Sequence, residues 1–185
     1  VKAPNKTQYV IGEEFDSSGL EIELIYASGR RELATDITFD TTKVAYKQKE
    51  IKAFYQDFVI SLPITTQAQI TVESIDQLQQ AIKDGYTSIM LKEASYNTSS
   101  GVKISSVDDI LIFGEGKETS INGWNIVPLI IDGECGKVTI SNLKLTTIGD
   151  NPKDYQIDLS SCKSGEIIFD NVDYQNIKEG EGYTK

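Results

Sequence analysis

The sequence predicts an all-β chain of two domains, a small sandwich followed by a short right-handed parallel β-helix with one capping helix at its start. Three observations predict this fold class. Short alternating segments separated by turns fill residues 1–68, and none of them has a helical period. One amphipathic helical segment then opens residues 69–185. Similar apolar triplets follow it at intervals of 20–30 residues, as in a solenoid.

The composition excludes several classes of function. The 185 residues carry a net charge of −10, which disfavours nucleic acid and anionic membranes as partners. No stretch approaches the roughly 20 apolar residues that a membrane-spanning helix needs. The chain has no His, which excludes Ser-His-Asp and Cys-His machinery, and its two Cys are too few for a four-thiolate zinc site. We therefore expect no nucleic-acid partner and no membrane-spanning segment.

The first domain, residues 1–68, is built from predicted short strands. Residues 20–26 alternate with a period of two, and Gly29 in the following turn lets a second strand run through residues 31–35. Further strands are predicted at residues 7–11, 50–55 and 58–65. The polar segment 63–69 marks the boundary to the second domain.

Three segments of this domain resemble the bacterial immunoglobulin-like domains of the third group. They are Tyr9-Val10-Ile11-Gly12-Glu13-Glu14-Phe15-Asp16, Gly19-Leu20-Glu21-Ile22 and Tyr26-Ala27-Ser28-Gly29. The resemblance covers about residues 4–66 and implies an immunoglobulin-like sandwich. Domains of this family are spacers and stalks on bacterial surfaces. The resemblance therefore also implies an extracellular or cell-surface location.

One helix is predicted at the start of the second domain. Ser74 is a suitable N-cap, and Gln77 three residues later completes a capping box. Gly85 suits the position just after the last turn, where a left-handed backbone is common. The apolar stripe of this helix consists of Ile75, Leu78, Ala81 and Ile82.

The rest of the second domain repeats an apolar triplet. The triplets are residues 89–91, 110–112, 138–140 and 167–169, and their alignment predicts about four coils in residues 69–185. Asn142 and Asn171 then align at a bend of the third and fourth coils. Asn tolerates the left-handed conformation of a sharp bend, and stacked amides can hydrogen-bond between coils. Two ordinary turn asparagines are the alternative.

These segments resemble the pectin-lyase-like β-helix superfamily. The run from Val72 to Ile82, with Gly85 and Ile89-Met90-Leu91, resembles its N-terminal capping helix and first coil. The run Ile110-Leu111-Ile112-Phe113-Gly114-Glu115-Gly116, followed by Ser120-Ile121-Asn122-Gly123, resembles its repeated coil. The resemblance covers about residues 70–178. Four coils are far fewer than enzymes of this superfamily have, so both a natural miniature and a fragment of a longer protein remain open.

No catalytic set can be recognised, and we assign no catalytic residue. The resemblance implies that a pectate lyase would use acid-bound calcium and a basic residue, usually Arg, but no Arg follows Arg31. It implies that a polygalacturonase would use clustered Asp residues with a nearby His. Asp108-Asp109 is an adjacent acidic pair, but it precedes a predicted strand and the chain has no His. Solvated carboxylates at a coil bend explain this pair more simply.

Three acidic residues are candidates for a calcium site. Asp150, Asp154 and Asp158 lie within nine residues and offer the oxygen ligands that Ca²⁺ prefers. Their spacing is not that of an EF-hand, because the glycine is misplaced and no Glu closes the loop. Solvated surface carboxylates are the alternative. No other cofactor is expected.

Three aromatic residues are candidates for contact with a sugar. Trp124, Tyr155 and Tyr174 lie in the coils, and an exposed ring can stack on the apolar face of a sugar. Trp124 follows Asn122-Gly123 and is equally suited to cap the hydrophobic interior of a coil. Both interpretations are open.

The two cysteines are predicted to lie near each other. By the coil alignment, Cys135 and Cys162 occupy corresponding corners of neighbouring coils, about 4.8 Å apart. That separation is close to the Cα distance of a disulfide, about 5.5–6 Å. A disulfide and two buried free thiols are both compatible with it.

The sequence thus favours a non-catalytic binding or adhesion module of an exported bacterial surface protein. Its expected partner is a polysaccharide or a surface protein of a host or cell wall. The alternatives are a fragment of a polysaccharide lyase or hydrolase and a purely structural stalk.

Overall fold

The computed structural model describes residues 1–45 and 48–184. The chain divides into two compact units, Val1–Ala68 and Gln69–Lys185. No helix among the described residues is long and apolar enough to cross a membrane.

The first unit is all-β. Its described strands are β1 Gln8–Val10, β2 Glu23–Ile25, β3 Arg31–Leu33, β4 Thr38–Phe39, β5 Glu50–Tyr55, β6 Phe58–Pro63 and β7 Thr65–Gln67. They form the parallel pair β1–β7, the antiparallel hairpin β2–β3 and the antiparallel sheet β4–β5–β6. Their shared core consists of Tyr9, Ile22, Val44, Ile51, Ala53, Leu62 and Ile64. The all-β class is as predicted, whereas the immunoglobulin-like topology stays a prediction.

One strand prediction in this unit is wrong. Residues 58–65 were expected to form one strand, but the chain forms β6 up to Pro63 and then starts β7 at Thr65. The residue between them, Ile64, is buried in the core. The chain changes partner there, because β6 pairs with β5 and β7 pairs with β1.

The second unit opens with β8 Ile70–Val72 and helix α1 Ile75–Lys83. Gln77 N–H donates to Ser74 Oγ over 3.1 Å, as expected of an N-cap. The Gln77 amide oxygen accepts from the N–H of Glu73, one residue before the position that a capping box would use. Gly85 has φ +80°, and the helix ends in a Schellman motif, with Gly85 N–H bonded to Ile82 O and Tyr86 N–H to Ala81 O.

The rest of this unit is a β-solenoid of about three turns in the described residues. Its strands are β9 Ser88–Leu91, β10 Ser95–Thr98, β11 Val102–Ser105, β12 Asp109–Gly114, β13 Ser120–Trp124, β14 Leu129–Ile148, β15 Ile157–Asp158, β16 Cys162–Asp173 and β17 Ile177–Lys178. All their pairings are parallel. About four coils were expected, but the last of them contains only β16 and the two-residue β17, so the described strands make about three turns.

The strands form three stacks, each continuing from turn to turn. The first contains β8, β9, β12, the middle of β14 and most of β16. The second contains β10, β13 and residues 144–148 of β14. The third contains β11, residues 129–132 of β14, β15 and β17.

Apolar side chains from the three stacks fill the solenoid, and α1 covers one end of it. Leu78, Ala81 and Ile82 of α1 belong to the same core as the interior residues of the coils. Within the first stack, Ile89, Ile112, Ile140 and Phe169 occupy one register position in successive turns.

One register prediction is wrong. The repeated triplets placed Ile110 opposite Ile89, whereas the structure places Ile112 there. Ile110 and Ile112 are both buried on the inner face of β12. A shift of two residues keeps every side chain on its face, so an apolar triplet cannot distinguish the two registers.

Asparagines occupy two stacked bends between the first and second stacks. Asn142 and Asn171 have φ of 50° and 55°, in the left-handed region. The Asn171 amide nitrogen donates to Asn142 Oδ1 over 2.8 Å. The backbone approaches closely here, because a Cβ on Gly114 would lie 2.2 Å from the Asn142 carbonyl oxygen.

Candidate functional site

The outer surface of the second stack is the strongest candidate site. Side chains alternate along each strand, so every second residue of β10, β13 and the end of β14 points away from the core. These residues are Ser95, Asn97, Ser120, Asn122, Trp124, Lys144, Thr146 and Ile148, and we call them the ladder face. The register aligns Asn97, Asn122 and Thr146 across the strands and places Trp124 beside Ile148.

The polar side chains of the ladder face bond to one another across the strands. Asn122 Nδ2 donates to Ser95 Oγ over 2.8 Å and to Asn97 Oδ1 over 3.0 Å. Ser120 Oγ donates to Ser95 Oγ over 3.2 Å, and the Thr146 hydroxyl donates to Asn122 Oδ1. These bonds fix the rotamers of neutral donors and acceptors, of which Ser95 and Asn97 are exposed, Asn122 and Thr146 are half-buried and Ser120 is buried.

Trp124 stands at the end of β13, with 53% of its surface exposed. The next residue, Asn125, has φ 56°, and its side-chain oxygen accepts from the N–H of Asn151 over 2.8 Å. This fixed turn sets the direction in which the chain leaves Trp124. The indole is therefore a solvent-facing apolar surface on an ordered strand.

A groove of about 490 Å³ lies on the ladder face itself and is lined by its residues Ser95, Ser120, Asn122, Lys144 and Thr146. Glu93 and Glu118 also line the groove and place negative charge next to the ladder residues. The N–H of Glu118 donates to the Glu93 carboxylate over 3.2 Å, and Lys144 Nζ lies 3.8 Å from Asp173. The ladder face is thus neutral along its hydrogen-bonded row and apolar at Trp124, and the charged groups Glu93, Glu118 and Lys144 lie at one end of it.

The two tyrosine candidates are placed differently from Trp124. Tyr174 is half-buried and packs against Phe169, with ring centroids 5.6 Å apart. Tyr155 is also half-buried, and Lys178 Nζ lies 5.6 Å from its ring centroid. Of the three aromatic candidates, Trp124 has the ring most accessible to a sugar.

The three calcium candidates have separate surroundings. Asp158 accepts from Ser160 N–H and Oγ and pairs with Lys178, whereas Asp150 and Asp154 are exposed. Burial opposes ionisation of Asp158, but the Ser160 hydrogen bonds and the Lys178 charge hold its pKa below the usual range. No group of three His, Cys, Asp or Glu side chains in the described part of the chain could hold a metal. Calcium binding here stays a prediction.

The acidic pair Asp108-Asp109 joins two coils. The Asp109 carboxylate accepts from the N–H of Lys137 over 2.8 Å. A Cβ on Gly136 would lie 1.9 Å from the Asp108 carbonyl oxygen, so the two coils are in close contact. The contacts with Lys137 and Gly136 of the neighbouring coil explain the presence of Asp108 and Asp109 at this bend without a catalytic role.

Both cysteines are buried and free. They lie on the paired strands β14 and β16, where Cys162 is opposite Gly133 and a bulge follows. Cys135 Sγ donates to Asp132 O and Cys162 Sγ donates to Ser164 O, at 3.5 and 3.4 Å. Burial, reinforced by the neighbouring Cys135, raises the pKa of the Cys162 thiol. In this structure the two cysteines are therefore buried free thiols and do not form a disulfide.

The sequence reasoning missed the polar members of the ladder face. Asn97, Asn122 and Thr146 lie about one coil apart at outward positions. An amide or hydroxyl that recurs at the coil period was the signal that could have revealed them.

The chain is similar to Pectate lyase L of Thermoclostridium stercorarium, with 28% identity over 156 residues. The match covers 82% of this chain but only 12% of that protein's length. Together with the solenoid, this likeness supports a pectin-lyase-like β-helix. The ladder face is an outer face of this solenoid. No family profile matches the chain, and no solved structure matches it.

Proposed function

We propose that the pectin-lyase-like β-helix of this chain binds a polysaccharide along the ladder face without cleaving it. One observation carries the proposal. The exposed indole of Trp124 lies two residues along β13 from Asn122, beside a hydrogen-bonded row of neutral side chains formed by Asn97, Asn122 and Thr146. A sugar presents the matching surfaces, an apolar ring face and a rim of hydroxyl groups.

The ladder face suits a repeating ligand for two physical reasons. Its strands are about 4.8 Å apart, so amide and hydroxyl side chains at one register position recur at that spacing in the direction that crosses the strands. The mutual hydrogen bonds of Asn122 with Ser95 and Asn97 order these side chains before any ligand arrives. Binding then costs less conformational entropy than it would on mobile side chains.

The pectate lyase relative supports a polysaccharide as the class of partner. Because the chain spans 12% of that protein's length, we place the binding role in one segment of a longer protein. We further propose an extracellular or cell-surface location, with an immunoglobulin-like first unit acting as a spacer. A catalytic role within such a longer protein is the second candidate, and the relative's name is the observation that favours it.

The test exploits the fact that Trp124 is the only tryptophan of the chain. We expect its fluorescence to shift saturably on titration with soluble oligosaccharides, neutral and uronic-acid types being tried separately. Calorimetry of Trp124→Ala should show affinity reduced by about tenfold or more, as for loss of a central aromatic contact.

The matched control is Tyr86→Ala, which removes another exposed aromatic ring of the same unit away from the ladder face. This variant should bind like the wild type. Asn122→Ala should weaken binding while leaving the fold intact by circular dichroism. Unchanged affinity of both Trp124→Ala and Asn122→Ala would remove the ladder face as the binding surface.

A further inference from the structure

A second groove borders the ladder face where β14 ends. It has a volume of about 400 Å³, and the ladder residues Lys144, Thr146 and Ile148 form one of its walls. Residues 173–175 of the next turn form another wall, so the groove lies between two turns of the solenoid. The register places Ile148 beside Trp124 of β13. The groove therefore continues the ladder face in the direction that crosses the strands.

The groove exists because the pairing of β14 with β16 stops early. The last pair is Lys144 with Asp173, and β14 has no paired strand on this side beyond that point. Lys144 N–H and Ile148 O both bond to segment 119–125, which contains β13, over 3.0 and 2.8 Å. Peptide groups alternate sides along a strand, so those of Thr147 face the groove. Among residues 1–45 and 48–184, none hydrogen-bonds to the main chain of Thr147 on this side.

A buried glutamine holds the next turn beside this groove. Gln156 is only 3% exposed, and its side-chain oxygen accepts from the N–H groups of Gln175 and Asn176 over 3.0 and 2.9 Å. Its side-chain nitrogen donates to Thr147 Oγ1 over 3.4 Å. The Gln156 amide therefore connects the two walls and orders the groove before any ligand arrives, which lowers the entropy cost of binding.

The groove presents free polar groups of the kinds that bind sugar hydroxyls. The side chain of Gln175 is exposed, and its amide has no hydrogen-bond partner in the described part of the chain. Asp173 is exposed as well, and its carboxylate lies 3.8 Å from Lys144 in a solvent-screened ion pair. The main chain of Thr147 adds a donor and an acceptor, and the half-buried ring of Tyr174 lines the groove beside them. A few convergent polar groups beside an apolar surface are typical of a small-ligand site.

We propose, on the basis of the polysaccharide binding proposed above, that this groove is a second sugar subsite and that the bound polymer continues into it from Trp124 across Ile148. The Gln175 amide and the main chain of Thr147 bind the hydroxyl groups of one sugar, while the indole stacks on another. Gln175 lies two strand spacings from Trp124, roughly 10 Å, so a single sugar ring does not contact both. The ligand is therefore a chain of several sugars.

The test compares a disaccharide with a hexasaccharide by calorimetry on the full chain. Xylo-oligosaccharides are the neutral probes and oligogalacturonides the uronic-acid probes. The hexasaccharide should bind the wild type about tenfold more tightly than the disaccharide does, and Gln175→Ala should remove that difference. Binding of the disaccharide at Trp124 should be the same in Gln175→Ala and the wild type. The hexasaccharide, but not the disaccharide, should protect the amide hydrogen of Thr147 from exchange, measured by NMR.

The matched control is Gln80→Ala, which removes an exposed amide of α1 outside the groove and should bind both lengths like the wild type. The second subsite is ruled out, and binding at Trp124 is retained, if both lengths bind with one affinity. It is also ruled out if Gln175→Ala weakens both lengths equally or if Thr147 gains no protection at saturating hexasaccharide. If neither length binds the wild type, polysaccharide binding on the ladder face is itself wrong and the subsite with it.

Discussion

Asp158 shows how a single carboxylate connects two turns of the solenoid. It is largely buried, accepts two hydrogen bonds from Ser160 and lies 3.4 Å from Lys178 of the next turn. Burial alone would raise the carboxyl pKa, but these partners outweigh burial and lower the pKa. Its contribution to stability is therefore present above the pKa of the unfolded chain and is lost as pH falls through the lower pKa of the folded state.

We expect Asp158→Asn to lower the free energy of unfolding at neutral pH by about 1–2 kcal/mol, since hydrogen bonds to a charged acceptor are lost. The difference from the wild type should shrink as the solution is acidified through the folded-state pKa, because the wild-type carboxylate then becomes protonated. Urea titrations over a pH series measure this. Asp154→Asn, at an exposed position, is the control. A difference that stays constant with pH would contradict the assignment.

Asn142 tests the role of the stacked bends. Asn142→Ala should lower the free energy of unfolding by about 1–2 kcal/mol. Alanine is sterically disfavoured in the left-handed conformation, and the side-chain hydrogen bond with Asn171 is lost. Asn142→Gly should cost less, since glycine adopts φ 50° without that penalty. Thermal unfolding of both variants gives the comparison. Equal losses would mean that backbone conformation is not what selects asparagine here.

At the scale of elements, α1 was predictable and several strands were not. The cap at Ser74, the apolar stripe and Gly85 are local signals, and each has its expected place in the structure. β4 has only two residues and is defined by its pairing with β5, so no local pattern identifies it. The predicted register of β12 was wrong for a similar reason. Alternation specifies which side chains face the core but not which residues of the neighbouring strand they lie opposite.

The candidate site was predictable in part for the same reason. Alternation along β13 places Trp124 on the outer face, but its exposure depends on whether another segment covers it. The hydrogen bonds of Asn122 depend on the register with β10, which brings together residues one coil apart in sequence. Local sequence patterns could thus identify the Trp124 indole as a candidate. They could not predict the hydrogen-bonded row of Asn97, Asn122 and Thr146 beside it.

Helix α1 is expected to stabilise the solenoid through its apolar stripe. Leu78 is fully buried in the core that α1 shares with Val102 and Ile104. Leu78→Ala should lower the free energy of unfolding by about 2–5 kcal/mol, the usual cost of a cavity in a packed core. Gln80→Ala, on the exposed side of the helix, should change it by less than about 0.5 kcal/mol. Chemical denaturation of both variants measures the contrast, and similar losses would rule out a capping role for the stripe.

At the scale of the whole molecule, charge argues against an acidic substrate. Residues 71–185 contain 18 Asp and Glu against 10 Lys and no Arg. A net charge of −8 repels a polyanion at low ionic strength. A lyase also needs a positioned base and a cation that stabilises the developing charge.

We therefore expect this chain not to cleave polygalacturonate. The assay incubates it with the polymer and millimolar Ca²⁺ over a range of pH and follows ultraviolet absorbance of unsaturated products and the appearance of reducing ends. Neither should rise above a buffer control. Products formed by the chain would favour the catalytic alternative over polysaccharide binding alone.

The stacking of turns also determines how this unit can grow. Bonds between neighbouring turns join residues 25, 28 and 29 positions apart in the chain, from Ser95–Ser120 to Asn142–Asn171. The entropy lost on closing a loop depends on the logarithm of its length, so each turn closes at nearly the same cost. A new turn needs only its predecessor as a template. Solenoids of this type can therefore lengthen by whole turns during evolution without becoming harder to fold.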